Sequence, residues 1–455
     1  MEYRYAAIPA VAGGLMLTLL LWWAGGSADA LQLDGATGVL GIETDAALRS
    51  WLYPWAYGPY AGALSHGSAV PTPDGSHYLG LHHTAMQIRF VAVFVFYAAG
   101  ALLLVRRIPA ERGRVGPALL ALWAWGVVAG TLAVTVSSPW LIAAGGRGSY
   151  RFLPQLAGLS SSGRTVLVPL ALAVAVWTVL VTRLALKHAE PQPRGDVPAR
   201  AALVAATVGT GVVAVSVVVL SYQENAARIQ TAFAGGGFLS EPGDLLRQWL
   251  VLSAWSGPAG SPFGDWLLVR LGDVLLLAVV WCALRWLPGV LTRVSVPAMA
   301  AGAVCAVVLG LLARHLVRVA VADGSWNYRG LLQAASGLGE GTSAAMLWGT
   351  LAGIAAAVTL RMSGRGTAAP GSGGPGSADP GSADPGSPVP GPAVGPGSGV
   401  LPGPADGPSM GGLTGPADGP GMGNLPRAAD GPVPDRSAGA LDGGQPRPGE
   451  QPPLG

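Results

Sequence analysis

The chain has 455 residues, 51% of them hydrophobic and only 11% charged. Soluble globular proteins carry about 25% charged residues, so this composition excludes an ordinary soluble domain. The net charge of +3 supplies no basic face for phosphate backbones, and no nucleic-acid partner is expected.

Apolar runs near or above ~18 residues mark membrane-spanning helices. In chain order they are predicted at 5–24, 86–105, 115–136, 165–184, 201–220, 266–286, 296–316 and 343–361. The predicted fold class is an all-α integral membrane protein of about eight transmembrane helices, with the lipid bilayer as its first partner. Arg4, the first apolar run and Ala28-Asp29-Ala30 also resemble a signal peptide with its cleavage site. The run is long for a signal core, though, and ends in Trp22 and Trp23, which suit a membrane interface. It is therefore read as span 1.

Orientation follows from arginine and lysine in the short loops. Arg106, Arg107, Arg112 and Arg114 lie between spans 2 and 3, and Arg183, Lys187, Arg194 and Arg200 between spans 4 and 5. Arg285 and Arg293 flank the turn between spans 6 and 7, and Arg361 and Arg365 follow span 8. These loops are expected to be cytoplasmic, with both termini inside, in a multi-pass protein of the cell membrane. Lys187 is the only lysine; with abundant Ala, Gly, Val and Pro this reads as bacterial, high-GC codon usage. Cys282 and Cys305 both fall within spans, so no disulfide is expected in the outer loops.

The two halves carry the same motifs. Glu43, Leu48, Arg49, Trp51 and Leu52 in the first outer loop match Glu241, Leu246, Arg247, Trp249 and Leu250 at one offset of 198. Before spans 4 and 8, Tyr150, Arg151, Leu153, Gln155 and Ala157 match Tyr328, Arg329, Leu331, Gln333 and Ala335 at an offset of 178, which Gly163 and Gly341 keep. Arg89 and Arg270, near the outer ends of spans 2 and 6, are 181 apart. Two unrelated motifs in the same order imply a tandem duplication of a four-helix unit. An even number of spans inserts both copies the same way up, as in parallel-repeat transporters. Three regions follow: residues 1–190, the first repeat; 191–363, the second; and 364–455, a Gly/Pro-rich tail predicted to be disordered and cytoplasmic. The four-helix unit, with a large first outer loop and a smaller second one, resembles claudin-like tetraspan proteins in outline.

Small residues recur every four positions at Gly126 and Gly130, at Gly302, Ala306 and Gly310, and at Gly349 and Gly353. That spacing predicts close helix packing. Leu48, Trp51 and Leu52, like Leu246, Trp249 and Leu250, fall on one face of a short helix.

The outer arginines Arg49, Arg247, Arg89, Arg270, Arg151 and Arg329 are candidate contacts for anions or envelope partners, because a guanidinium offers a fork of donors to phosphate or carboxylate. Trp51, Trp249, Tyr150, Tyr328, Gln155 and Gln333 accompany them. Equally, each arginine can pair with a nearby acid and pin its own loop. Arg270 and Asp273, three residues apart, are the charged pair inside a span, and Arg314, His315 and Arg318 form a basic cluster at the end of span 7. His66, His77, His82 and His83, with Asp74, lie in the first outer loop and offer zinc or copper chemistry without matching a tight ligand spacing. No cofactor is otherwise expected. Hydrolase, P-loop and dinucleotide motifs are missing from the sequence. The leading expectation is a non-enzymatic envelope, cell-division or assembly scaffold with outward loops on partners or lipids and a tail reaching a soluble partner. The alternatives are a transporter of a lipid-like or anionic small molecule, and an outer-face enzyme acting on a lipid-linked substrate.

Overall fold

The computed structural model describes residues 3–31, 41–58, 75–107, 115–144, 152–185, 198–232, 241–253, 255, 263–291, 295–322, 337 and 339–366. Among them, eight helices are long and apolar enough to cross a membrane. These are α1 (Tyr3–Ala30), α3 (Gly75–Arg107), α4 (Val115–Ala144), α6 (Arg164–Ala185), α7 (Ala199–Ala214, continued by a π-helical turn over Val215–Leu220), α10 (Phe263–Val290), α11 (Val296–Ala322) and α12 (Thr342–Gly366). Shorter helices sit at one end of the molecule: α2 (Ile42–Leu52), α5 (Phe152–Ser161), α8 (Gln223–Thr231) and α9 (Gly243–Leu250). At the opposite end lie Arg106 and Arg107 on α3, Arg183 on α6, Arg285 on α10 and Arg361 on α12.

Each predicted span falls within an observed helix, and several helices run further. The largest difference is α3, which starts at Gly75 rather than near residue 86. Its first turns hold Ser76, His77, His82, His83 and Thr84, too polar for a hydropathy signal. Backbone hydrogen bonding nevertheless carries the helix beyond the apolar stretch. His77, His82 and His83 are therefore helical residues rather than loop residues.

Two four-helix bundles result. In the first, α1 packs on α3, α3 on α4, α4 on α6, and α6 back on α1. In the second, α7 packs on α10, α10 on α11, α11 on α12, and α12 back on α7. The main junction between bundles is α4 against α11, with α9 of the second bundle resting on α5 of the first. Cys305 on α11 is buried there and donates to Ala121 O on α4 at 3.3 Å. Both cysteines are free thiols.

Small residues set the close approaches. A Cβ added to Gly349 or Gly353 of α12 would lie 2.5 Å from the α11 backbone, at Val304 Cα and Ala300 Cα respectively. Gly126 and Gly130 of α4 accept Ala171 and Leu167 of α6 in the same way. Without a hydrophobic drive between helices in lipid, such backbone proximity supplies the packing energy. Outward faces carry exposed apolar side chains at helical spacing, such as Leu15 and Leu19 on α1, Val91 and Val95 on α3, and Val176 and Leu180 on α6. Trp22 and Trp23 are exposed near the end of α1, at the depth favoured by interfacial aromatics.

The π-helical close of α7 has a local cause and use. Ser221 N bonds to Ser216 O at 2.9 Å, and the widened turn leaves neighbouring carbonyls for side chains. Val217 O accepts from Trp255 Nε1 at 3.1 Å and Val219 O from Asn225 Nδ2 at 2.8 Å. A single bridge between Tyr222 and Trp255 then ties the following chain to the top of the bundle.

Candidate functional site

The short-helix end is held by arginine clamps. Arg49 on α2 pairs with Asp45 one turn earlier, with Nε at 2.9 Å, and donates through Nη2 to Leu31 O at 2.6 Å. This fastens α2 to the end of α1. Its counterpart Arg247 on α9 is exposed and donates to Gln230 Oε1 at 2.7 Å, while Gln230 Nε2 donates to Asp244 Oδ1 at 2.6 Å. This holds α9 to α8. Trp51 is half-buried, and Trp249 packs against the core.

Arg89 is 1% exposed. It donates through Nε to Ser137 Oγ on α4 at 2.8 Å and through Nη1 to Pro54 O, and lies over the Trp55 ring at 5.6 Å. Arg270 lies over the Trp255 ring at 4.1 Å. Each bundle therefore places an arginine of its second span on a tryptophan of the preceding loop. Trp55 and Trp255 are not at a constant offset from the loop motifs, which hid this pairing from the sequence; a search for tryptophan just beyond each LRxWL segment would have found it.

Two further joints correspond. Gly163 and Gly341 each precede the fourth span of a bundle in a left-handed conformation, with φ of 72° and 78°. A Cβ at Gly163 would lie 3.0 Å from Pro54 Cβ, and one at Gly341 would lie 2.8 Å from Leu252 O. Pro54 and Leu252 are themselves 198 residues apart, the offset of the loop motif.

The second bundle adds a charge cluster. Asp273 is 4% exposed and receives Arg270 Nη2 at 2.9 Å and Arg314 Nη1 at 3.1 Å. One carboxylate thus serves two guanidiniums from α10 and α11. A Cβ on Gly272 would lie 2.9 Å from Arg314 Cγ, so the lack of a side chain there leaves room for Arg314 to reach across.

Above this cluster lies a cavity of about 600 Å³ between α5 and the start of α6 on one side and α9, α11 and the start of α12 on the other. Four arginines line it (Arg164, Arg247, Arg314 and Arg318), together with His315 and the acids Asp244 and Glu340. Val251, Leu252, Val308, Leu311 and Leu312 supply apolar wall. Arg164, at 7% exposed, joins the two bundles: Nη2 donates to Ser160 O at 3.0 Å and to Ser343 Oγ at 3.2 Å. Gln248 satisfies both amide atoms when its oxygen faces this guanidinium, accepting from Nη2 at 2.5 Å and donating to Ala157 O at 3.1 Å. Among the described residues Arg164 Nε has no hydrogen-bond partner.

Sequence reasoning missed Arg164, which follows Gly163 and falls opposite Thr342 at the 178 offset, so no repeated motif flagged it. Arg314 and Arg318 were legible only as a basic cluster. Of the residues singled out beforehand, the structure brings Arg247 to the cavity lining, while Arg270 and Asp273 lie outside it and are tied to it through the lining residue Arg314. Arg49 and Arg89 lie in the first bundle, away from the cavity lining. Gln155 is half-buried on α5, beside the lining residue Pro154. Tyr150, Arg151, Tyr328, Arg329, Gln333, His66 and Asp74 lie outside the described residues. His83 is exposed, and His82 is half-buried with an unpartnered Nε2. His77 makes an edge contact with Tyr78 at 5.9 Å. Among the described residues no group of three or more His, Cys, Asp or Glu side chains is placed to hold a metal.

Eight apolar helices closed into bundles, with apolar outer faces, define a multi-pass membrane protein in a lipid bilayer. No protein-family model, curated protein or solved structure matches the chain.

Proposed function

We propose that this is a duplicated, multi-pass protein of the bacterial cell membrane whose outward end recognises an anionic ligand, acting as a non-enzymatic envelope or assembly scaffold. The observation that carries the reading is the arginine-lined cavity where the two bundles meet. Guanidiniums are the side chains best suited to bidentate contact with phosphate or carboxylate. The equal packing order of the two bundles and the matching joints at Gly163 and Gly341 support the duplication. The arginines at the opposite end of α3, α6, α10 and α12 support cytoplasmic termini, which turns the cavity outward. The Gly/Pro-rich tail after α12 would then lie on the cytoplasmic side, available to a soluble partner.

The test is purification of the full-length protein from native membranes, beside a form truncated after Arg365 and an R247Q/R318Q variant, with mass spectrometry of co-purifying lipids and proteins. Retained anionic lipid or envelope proteins that diminish in R247Q/R318Q are expected, with soluble partners lost on truncation. An identical complement in all three forms overturns the reading.

A transporter of an anionic or lipid-like molecule is the second reading. It is favoured by the cavity's place at the junction of two like bundles, where parallel-repeat transporters hold substrate. It requires substrate-dependent flux that disappears when Arg270 or Asp273 is neutralised. An outer-face enzyme using His66 and the α3 histidines requires loss of function when His66, His77, His82 and His83 are replaced together.

A further inference from the structure

We infer that the cavity between the bundles binds a dianionic phosphate group, either free phosphate or the terminal phosphate of a lipid headgroup. The inference rests on the anion-recognition reading above and specifies the ligand.

Charge is the first argument. Among the described residues the cavity lining brings together four guanidiniums and two carboxylates, Arg164, Arg247, Arg314 and Arg318 against Asp244 and Glu340. The excess of two positive charges suits a dianion better than a zwitterion or a monovalent ion. The second argument is the state of Arg164. It lines the cavity, is more than nine-tenths buried, has its Nη2 fixed by Ser160, Ser343 and Gln248, and among the described residues its buried Nε is left without a partner. A buried unsatisfied donor on a charged group is costly, and a ligand oxygen would relieve the cost. The third argument is preorganisation. Arg314 is held by Asp273 and Arg164 by the inter-bundle network, so two of the donors lose little freedom on binding. The apolar wall of Leu252, Val308 and Leu312 gives a headgroup's glycerol or first methylenes a place to lie.

Full-length protein in mild detergent should be titrated with inorganic phosphate, with dihexanoyl phosphatidic acid below its micelle concentration, and with phosphocholine as the zwitterionic control, all at constant ionic strength. Thermal unfolding is read at each concentration, because a ligand that binds only the folded state raises Tm in a saturable way. We expect both dianions to raise Tm and phosphocholine not to. Tighter binding of the phosphatidic acid assigns the site to a lipid headgroup; equal or tighter binding of inorganic phosphate assigns it to the free ion. R164Q alters the inter-bundle network and can misfold, so the second variant is R318Q. Arg318 is exposed, and its loss should weaken phosphate binding about fivefold with basal Tm unchanged. No saturable shift with either dianion, or an unchanged affinity in R318Q, overturns the inference. If mass spectrometry still finds anionic lipid retained through Arg247 and Arg318, only the assignment to a dianionic phosphate fails and the wider reading stands.

Discussion

Asp273 shows what a single carboxylate does in this protein. Its neighbours Arg270 on α10 and Arg314 on α11 would otherwise be two guanidiniums without this carboxylate, and Arg314 is itself 7% exposed. Buried ion pairs gain little over an apolar replacement, but removing one partner leaves an uncompensated charge. We therefore expect Asp273→Asn to destabilise the protein by about 3 kcal/mol, read as a fall in unfolding temperature in mild detergent. The double variant D273N/R314Q should recover part of that loss, because one stranded charge goes with its partner. A neutral D273N would mean that the two arginines are neutralised elsewhere. Arg270 and Asp273 were legible from the sequence as a pair three residues apart on one helix. The reach of Arg314 from the next span was not, because a contact between spans follows from packing rather than from local spacing. Arg164 is the stronger case: one of its partners, Ser343, stands 179 residues away.

At the scale of elements, the two glycine joints are the most informative. A left-handed residue just before a membrane helix lets the chain turn sharply into the bilayer without a Cβ clash. Gly163 does this against Pro54 and Gly341 against Leu252. Alanine at either site meets an unfavourable φ and an occupied space. We expect Gly163→Ala and Gly341→Ala each to cost about 1–3 kcal/mol, with similar falls in Tm. If only one substitution were harmful, the two joints would not be equivalent. Both glycines were visible beforehand as a matched pair, since the 178 offset runs through them. The spans were visible too, because Leu, Val and Ala runs of membrane length have few other uses. What escaped was the polar start of α3 and the π-helical turn of Val215–Leu220. The first lies below any hydropathy threshold. The second has the composition of an ordinary apolar helix, and its geometry follows from tertiary partners such as Trp255 and Leu250, which bond to Val217 O and Ser216 Oγ.

At the scale of the whole molecule, the question is whether two bundles that each close on themselves hold together without the chain that joins them. The connection between α6 and α7 covers residues 186–198, and a protease site is inserted between residues 190 and 191. Several contacts span the junction. Cys305 reaches Ala121 O across α11 and α4. Arg164 bonds Ser343 from the start of α6 to the start of α12, and Gln248 of α9 meets Ser160 of α5. Breaking buried polar bonds of this kind leaves donors and acceptors without partners, which is costly. After cleavage in mild detergent we expect the two fragments to co-elute on size exclusion. An R164Q background should loosen them, because it removes a charged donor shared by both bundles and leaves Ser343 with one partner fewer. Fragments that separate on cleavage alone would show that the bundles associate mainly through their covalent link. Fragments that stay together, and separate only with R164Q, would place the stability of the dimer of bundles at the same wall that lines the cavity. Ligand binding and bundle association would then be linked, and phosphate should protect the cleaved protein against dissociation in proportion to its occupancy.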